Sequence, residues 1–314
     1  MYIGIDLGGT NIAVGLVNEK GEILSQSSTP TLSGRDYTEI VKDMAMLCEK
    51  VTADAGFTMN DVKAIGMGCP GSIDNERGMV MNANNLKMDK TPIADELGKY
   101  FDLPINVEND ANAAAYGEYE INGKGAKSFV FITLGTGVGG GVIIDGKVYR
   151  GFNGTAGELG HTPLVYNGVP CSCGHKGCWE AYASVTALIN QTKEAMDQNP
   201  DSLMVKMAEE EGKVSGRTAF TSAKNGDKAA QEVVNQYIEY VAEGIWAMVN
   251  IFQPEKILIG GGISREGDYL LDPIKAYVDK YGYNKYMAKT EIGIATLFND
   301  AGIIGAALAA KHKL

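Results

Sequence analysis

Two aspartates, Asp6 and Asp110, each stand at the end of a short apolar run, where a predicted strand would present them for chemistry. Asp6 is followed by Leu7-Gly8-Gly9-Thr10, and a carboxylate at that place can hold Mg²⁺ through water. Asp110 follows Glu108 and Asn109 where a helical stretch begins, so it can act as a helix N-cap or as a general base. The residue types alone leave both interpretations of Asp110 open.

Three glycine clusters follow predicted strands and are typical of phosphate or nucleotide binding. Glycines let backbone N–H groups approach a phosphate closely, and a nearby threonine adds a hydroxyl group. Gly135–Gly140 matches the pattern G-x-G-x-x-G, but a strand is predicted after it, where the dinucleotide motif requires a helix. We therefore interpret Gly8–Thr10 and Gly135–Gly140 as phosphate-binding hairpins. Gly260–Gly262 precedes a helix and can form a platform for a base and ribose, or else allow close packing.

The five cysteines indicate a metal site better than a disulfide framework, because their number is odd and three of them are clustered. Cys171, Cys173 and Cys178 fall within eight residues of one another, and His161 precedes them. Three thiolates and one imidazole are a ligand set for tetrahedral zinc, and a site filled by protein ligands would be structural. His175 competes for the fourth position, and a reduced thiol cluster without metal is the alternative.

Two glutamates flank this cysteine segment. Glu158 lies on the same predicted turn as His161, and Glu180 is the second residue after the last cysteine, Cys178. A metal knuckle would hold both carboxylates rigidly, and fixed carboxylates suit a ligand that carries several hydroxyl groups.

Length and charge exclude several classes of protein. The 314 residues suggest about two domains. Asp and Glu number 39 against 28 Lys and Arg, and the net charge of −11 disfavours binding to nucleic acid or to an anionic membrane. No apolar run reaches the ~18–20 residues of a membrane helix, and the N-terminus lacks a signal-peptide pattern. We therefore expect a cytoplasmic protein.

Apolar periodicity predicts an α/β chain that contains an internal duplication. A strand, a glycine turn, a strand, a polar turn and a strand occur near Tyr2–Ser25 and again near Phe129–Arg150, at an offset of 127 residues. Chance similarity between two glycine-rich hairpins is the alternative. The other predicted strands are Val62–Met67, Pro104–Val107 and Lys256–Ile259, and the predicted helices are 40–51, Ala111–Tyr119, 230–252 and Ala301–Ala310. The polar stretch Asn199–Gly226 is predicted to be a surface excursion.

Six segments form an ordered series that resembles a known family. They are Asp6–Thr10, Glu108–Asp110, Leu134–Gly141, Glu158–His161, Cys171–Glu180 and Gly260–Ser264. The series resembles the motifs of the ROK family, which comprises bacterial repressors, open-reading-frame proteins and sugar kinases. The cysteine motif is specific to that family, whereas the glycine motifs are shared with the actin-like ATPase superfamily. The resemblance runs from Tyr2 to the C-terminal helix.

The resemblance implies a two-lobed actin-like ATPase fold, a duplicated ribonuclease-H-like design with the ligand cleft between the lobes. The implied lobes are 1–118, with helix 301–314 packed back on it, and 119–300, with a zinc knuckle at 161–178. The implied reaction is phosphorylation of a hexose 6-hydroxyl by MgATP, with D-glucose as the expected acceptor. Kinases for N-acetylmannosamine, fructose or allose and a non-catalytic sugar sensor are alternatives. A repressor is disfavoured because only five residues precede Asp6. Dimers are usual in the family, so a homodimer is expected.

The resemblance also implies roles for individual residues. Asp110 would be the base, and structural zinc would be held by His161, Cys171, Cys173 and Cys178, with the second ring nitrogen of His161 left for the sugar. The implied sugar contacts are Gly71, Asn84, Asn85, Asn109, Asp110, Glu158, His161 and Glu180. The implied ATP contacts are Asp6, Gly8, Gly9, Thr10, Asn11, Thr133, Gly135, Thr136, Gly137, Gly260, Gly261 and Gly262. Many relatives have a tryptophan shortly after the Asn-Leu step, which this chain lacks, so the choice between Asn84 and Asn85 stays open.

Overall fold

The computed structural model describes residues 1–312, so the last two positions of the predicted helix 301–314 lie outside the described residues. The chain divides into two compact units. Unit 1 comprises Met1–Phe131, Gly141–Gly157 and the segment that begins at Thr296, and unit 2 comprises Ile132–Gly140 and Glu158–Ala295.

The strands form two five-stranded sheets and a three-stranded sheet. They are β1 (Tyr2–Leu7), β2 (Asn11–Val17), β3 (Ile23–Pro30), β4 (Ala64–Cys69), β5 (Ser72–Asp74), β6 (Met79–Ala83), β7 (Met88–Thr91), β8 (Ile105–Asn109), β9 (Ser128–Leu134), β10 (Val138–Ile144), β11 (Lys147–Val148), β12 (Lys256–Gly260) and β13 (Glu291–Ile294). The first sheet has the order β3-β2-β1-β4-β8, the second β11-β10-β9-β12-β13 and the third β5-β6-β7.

The two five-stranded sheets repeat one strand order. In the first, β1–β2 and β2–β3 are antiparallel, whereas β4 pairs in parallel with both β1 and β8. In the second, β10–β11 is antiparallel and β12–β13 is parallel. The strand order agrees with the duplication predicted from the 127-residue offset.

The helices follow the amphipathic pattern of the sequence in most places. They are α1 (Tyr37–Asp54), α2 (Ile93–Gly98), α3 (Asp110–Glu118), α4 (Glu180–Ala183), α5 (Val185–Gln198), α6 (Leu203–Glu211), α7 (Gly216–Lys224), α8 (Lys228–Phe252), α9 (Asp268–Tyr281) and α10 (Ala301–Lys311). A π-helix covers Tyr119–Gly123, and 3₁₀ turns cover Met59–Asp61, Leu159–His161, Gly262–Glu266 and Phe298–Asp300.

The core of unit 1 lies against the first sheet. Ile3 and Ile5 of β1 pack in one apolar cluster with residues of α1, such as Ile40 and Met44. Helix α10 also packs on β1 and β4, and its backbone comes so close that a Cβ atom at Gly66 would clash with the carbonyl group of Ala306. Glycine in the middle of a strand is usually unfavourable, and here it permits this close approach.

One sequence prediction about organisation is wrong. Residues 199–226 are not a surface excursion but contain α6 and α7, because Ala219, Phe220 and Ala223 form a narrow buried stripe within a polar segment. The first segment of unit 1 extends through Phe131, and the ring centroids of Tyr119 and Phe129 lie 5.7 Å apart within it. The lobe bounds 1–118 and 119–300, which the resemblance implies, stay a prediction. Within residues 1–312, no helix combines the length and the apolar content needed to cross a bilayer.

Candidate active site

The junction between β8 and α3 carries Asp110 and corrects one interpretation of it. The N-cap of α3 is Asn109, whose side-chain oxygen accepts a hydrogen bond from the Asn112 N–H at 3.1 Å. Asp110 is the first residue of the helix, and its Oδ1 accepts from the Ala111 N–H at 2.9 Å. Because Asn109 provides the cap, the interpretation of Asp110 as the N-cap is wrong.

Asp6 and Asp110 lie near one another in unit 1. Asp6 is paired with Gly68 in the parallel register of β1 and β4, and a Cβ atom at Gly68 would lie 3.5 Å from the Asp110 Cα. Burial, with a further contribution from the Asp110 charge, raises the pKa of Asp6 from 3.8 to about 6. Burial also raises the pKa of Asp110, against the lowering effect of nearby N–H donors. Two desolvated carboxyl groups at one sheet edge are typical of functional sites.

Part of the predicted sugar set lies around Asp110. The Asn109 side chain donates from Nδ2 to the Gly71 carbonyl oxygen at 3.2 Å, so these two predicted residues are brought together. Of the two asparagines left open by the sequence, Asn85 lies against the first glycine hairpin, with its Nδ2 3.3 Å from where a Gly9 Cβ atom would stand. Asn84 accepts a backbone hydrogen bond from the Lys87 N–H at 3.3 Å.

The first glycine hairpin is closed by backbone bonds and held by a residue that the sequence did not indicate. The Gly8 N–H donates to the Asn11 carbonyl at 2.9 Å. The Thr31 hydroxyl donates to the Gly8 carbonyl at 2.6 Å, and the Thr31 N–H donates to the Thr10 carbonyl at 2.8 Å. Thr31 is fully buried and distant in sequence, and no local motif marks it.

The second glycine hairpin lies in unit 2 and includes the start of a strand. The Gly135 N–H donates to the Gly137 carbonyl at 2.9 Å, and the Thr136 carbonyl accepts from the Thr186 hydroxyl at 2.7 Å. Strand β10 begins at Val138, inside the motif after which the strand was predicted, so the last glycines of the motif are strand residues. The interpretation of this segment as a hairpin rather than a dinucleotide-binding turn agrees with this structure.

The third glycine cluster follows β12 and faces β9. Gly261 has a positive φ of 86°, and a Cβ atom there would clash with the carbonyl group of Leu134, the residue after Thr133. The Ser264 hydroxyl donates to the Gly261 carbonyl at 2.7 Å. Among residues 1–312, no neighbouring atom lies within 4 Å of the position that a Gly262 Cβ atom would take. Gly262 therefore leaves open space above the 3₁₀ turn that it begins.

Four metal-ligating side chains converge in unit 2. The ligand atoms of His161, Cys171, Cys173 and Cys178 all lie within 4.8 Å of one another. The Cys171 Sγ and His161 Nδ1 atoms are 3.6 Å apart, as are the Sγ atoms of Cys173 and Cys178. Zinc–ligand bonds of about 2.0–2.3 Å in a tetrahedron separate the ligand atoms by about 3.6–3.8 Å, so the donors and spacing fit zinc. His175 is not in this cluster among the described residues.

Glu180 connects the cysteine cluster to the second glycine hairpin. Its Oε1 lies 3.8 Å from the Cys171 Sγ atom and accepts from the Ser172 hydroxyl at 3.2 Å. Its Oε2 accepts from the Val138 N–H at 3.0 Å, and it occupies the space where a side chain at Gly137 would go. The Glu180 carboxylate therefore contacts both the predicted zinc site and the predicted phosphate-binding hairpin.

Glu158 and His161 share a short turn before the cluster. The Glu158 carbonyl accepts from the His161 N–H at 3.1 Å, at the start of the 3₁₀ turn Leu159–His161. Glu158 is exposed, whereas His161 is partly buried with its Nδ1 directed at Cys171. The second ring nitrogen of His161, Nε2, is thus not the one that faces the thiol.

Comparisons with known proteins by family model, sequence and structure all point to the ROK family. The family model for the ROK family matches residues 2–313. A glucokinase from Halalkalibacterium halodurans is 37% identical over 314 residues, which cover 99% of this chain and 95% of the relative. A solved ROK family glucokinase from Streptomyces griseus, in complex with glucose and AMPPNP, has a TM-score of 0.84 at 34% identity over 99% of both chains. A xylose repressor from Caldicellulosiruptor bescii is 31% identical, and the match covers 96% of this chain and 76% of the repressor.

Proposed function

The chain belongs to the ROK family, and from this premise we propose that it is an ATP-dependent sugar kinase that phosphorylates the 6-hydroxyl of a hexose, with D-glucose preferred. The observation that carries the proposal is Asp110, a desolvated carboxyl group at the end of β8 beside the Asn109 side chain. The glucokinases to which the chain is similar, one of them bound to glucose and AMPPNP, support glucose and ATP as substrates.

Asp110 would be the general base. Phosphoryl transfer passes through a loose transition state, so positioning and charge neutralisation account for most of the catalysis. The acceptor hydroxyl must still lose its proton to a group within hydrogen-bond reach, and a carboxylate with a raised pKa is a better proton acceptor. Burial raises the pKa of Asp110 in this way.

Each unit carries polar groups that suit a ligand with several hydroxyl groups. In unit 1 these are Asn109 and Gly71, which already share a hydrogen bond, together with Asn84 or Asn85. In unit 2 they are Glu158, Glu180 and the Nε2 atom of His161. Carboxylates and imidazole bind hydroxyl groups well, and the orientation of His161 Nδ1 toward Cys171 supports the use of Nε2 for the sugar.

The nucleotide would be held by the three glycine clusters. Backbone N–H groups of Gly8–Thr10 and Gly135–Gly137 would bind phosphate oxygens, while Gly260–Gly262 would accept the base and ribose. Asn11 and Thr133, next to these clusters, would add side-chain contacts. Asp6 would hold Mg²⁺ through water, and the ion, when bound, would neutralise phosphate charge.

Zinc would be the structural ion of the cysteine cluster. His161, Cys171, Cys173 and Cys178 would hold it, since their donor set and separations fit a tetrahedral site. The ion would fix the turn that carries Glu158 and His161. It would also hold Ser172 and Glu180 in place, because both are close to zinc ligands in sequence. No free coordination position would remain for catalysis.

We also propose that the protein is a cytoplasmic homodimer that binds neither nucleic acid nor membrane. The net charge of −11 disfavours binding to nucleic acid and to membranes, because nucleic acids and anionic membranes attract basic proteins. The unpaired cysteines support a reducing compartment.

The proposal is tested by a panel of hexoses with MgATP and coupled detection of ADP. We expect sugar-dependent ADP formation, with the highest kcat/KM for D-glucose and lower values for N-acetylmannosamine, fructose and allose. The control without sugar measures background ATP hydrolysis. ADP formation that no hexose stimulates would contradict the kinase function and favour a sugar sensor.

A further inference from the structure

We propose that Arg150 is a positioning residue for phosphoryl transfer and that it acts through the buried Glu108 on the strand–helix junction that carries Asp110. The inference rests on the proposed kinase function and on the proposed role of Asp110. It assigns a role to an ion pair that no motif indicated, because the two residues are 42 positions apart in sequence.

The Glu108 carboxylate is the centre of a small network in unit 1. Its side chain is only 2% exposed, and its Oε2 atom accepts from Arg150 Nε at 2.8 Å and also from Arg150 Nη2. The other oxygen, Oε1, accepts from the Asn109 N–H at 3.1 Å and from Asn112 Nδ2 at 3.4 Å. One oxygen therefore binds the guanidinium group, and the other binds the first turn of α3.

The two groups that donate to Glu108 Oε1 from the helix side determine where Asp110 lies. Asn109 is the N-cap of α3, so the orientation of its N–H group fixes the peptide that leads into Asp110. Asn112 is buried, and its Oδ1 atom has no hydrogen-bond partner among the described residues. Its amide is therefore oriented through the bond from Nδ2 to Glu108. A shift of Glu108 would move the cap and, with it, the Asp110 carboxylate.

Arg150 is what makes this arrangement possible. A buried carboxylate without a cation would be strongly unfavourable, and it would become protonated or turn toward water. Arg150 donates through two nitrogen atoms, a geometry that the single ammonium group of lysine cannot reproduce. Its side chain is 32% exposed, so it compensates the charge from the solvent side while Glu108 stays inside.

A purely structural ion pair would behave differently from a positioning pair. When both partners of a buried pair are replaced by neutral residues, the uncompensated charge disappears and stability is often regained. A structural pair would then regain activity together with stability. A positioning pair would regain stability alone, because no carboxylate remains to orient Asn109 and Asn112.

The test compares Arg150→Gln, Arg150→Lys and the double variant Glu108→Gln/Arg150→Gln with the wild type. We expect Arg150→Gln to lower kcat for glucose by ~10- to 100-fold, since small misplacements of a catalytic group have effects of this order, with the KM for ATP within ~2-fold. We expect Arg150→Lys to fall between Arg150→Gln and the wild type. The double variant should unfold near the wild-type temperature and still lose at least ~10-fold in kcat.

The matched control is the Glu96–Lys99 pair on α2, whose glutamate side chain is also largely buried. The double variant Glu96→Gln/Lys99→Gln should keep wild-type kcat. Wild-type kcat in the Glu108→Gln/Arg150→Gln variant, or in a folded Arg150→Gln variant, would overturn the inference while the kinase function stands. A wild-type protein that turns over no hexose would overturn the proposed function and this inference together.

Discussion

At the residue scale, the Asp6 carboxyl group is kept close to Asp110 in a desolvated environment. Its pKa in the folded protein is about 6, compared with an ordinary value of 3.8, because burial and the Asp110 charge disfavour ionisation. The folded state therefore holds this proton more tightly than the unfolded state, so its contribution to stability is lost as the pH rises from about 4 to about 6. The residue destabilises the fold at neutral pH, which is typical of a group retained for function.

We predict that Asp6→Asn stabilises the protein at pH 7 and lowers its kinase activity. The free energy of unfolding should rise by roughly 1–3 kcal/mol at pH 7, since one pKa unit corresponds to about 1.4 kcal/mol, and the gain should vanish near pH 4. Denaturant unfolding at several pH values measures this. Asp36→Asn is the control, because Asp36 is an exposed N-cap of α1 and asparagine caps equally well. An Asp6→Asn variant that is less stable than the wild type at pH 7 would contradict the claim that the buried Asp6 carboxylate destabilises the fold.

At the element scale, the sequence predicted the repeated sheets better than the parts that depend on distant contacts. The strands β1, β2, β4, β8 and β9 were predicted because each is a short apolar run that ends at a turn. Family membership and the repeated strand order confirm the predicted α/β actin-like fold class. The three-stranded sheet β5-β6-β7 was missed, since its strands are short and carry polar residues.

In the candidate site, too, the sequence predicted local motifs but not contacts between distant segments. The glycine hairpins and the cysteine cluster were recognised because their residues are close together in sequence. The spacing alone left His161 and His175 open, because the choice depends on which imidazole the chain brings to the thiols. The resemblance implied His161, and the structure places its ring nitrogen among the described thiols. The contacts of Thr31 with Gly8 and of Arg150 with Glu108 join distant segments, so no local pattern could predict them.

The cysteine cluster allows a direct prediction at the same scale. We predict one zinc ion per chain in tag-free protein, measured by elemental analysis. His161→Asn should lose most of the zinc because it removes one of four ligands, whereas His175→Asn should keep it, since His175 lies outside the cluster. Wild-type protein without zinc, or a loss of zinc in His175→Asn instead of His161→Asn, would contradict this assignment.

At the scale of the whole molecule, ligand binding and folding are linked. A sugar that binds only the folded protein stabilises it by about 2.7 kcal/mol when present at a hundred times its Kd. We therefore predict that D-glucose raises the unfolding temperature by several degrees in a concentration-dependent manner, measured by calorimetry. L-glucose is the matched control, since it has the same composition and the opposite chirality. Equal shifts with both sugars would indicate a solvent effect rather than a binding site.

The most direct test of the central claim is the kcat of Asp110→Asn with glucose and MgATP. Asparagine keeps the shape of the side chain and an oxygen for the Ala111 N–H, and the cap is provided by Asn109, so α3 should be unaffected. If Asp110 is the base, kcat falls by at least ~10²-fold, while the binding of an ATP analogue stays close to wild type and the unfolding temperature does not fall, since the variant removes a buried carboxyl group. A variant that keeps most of its kcat would contradict the assignment of Asp110 as the general base.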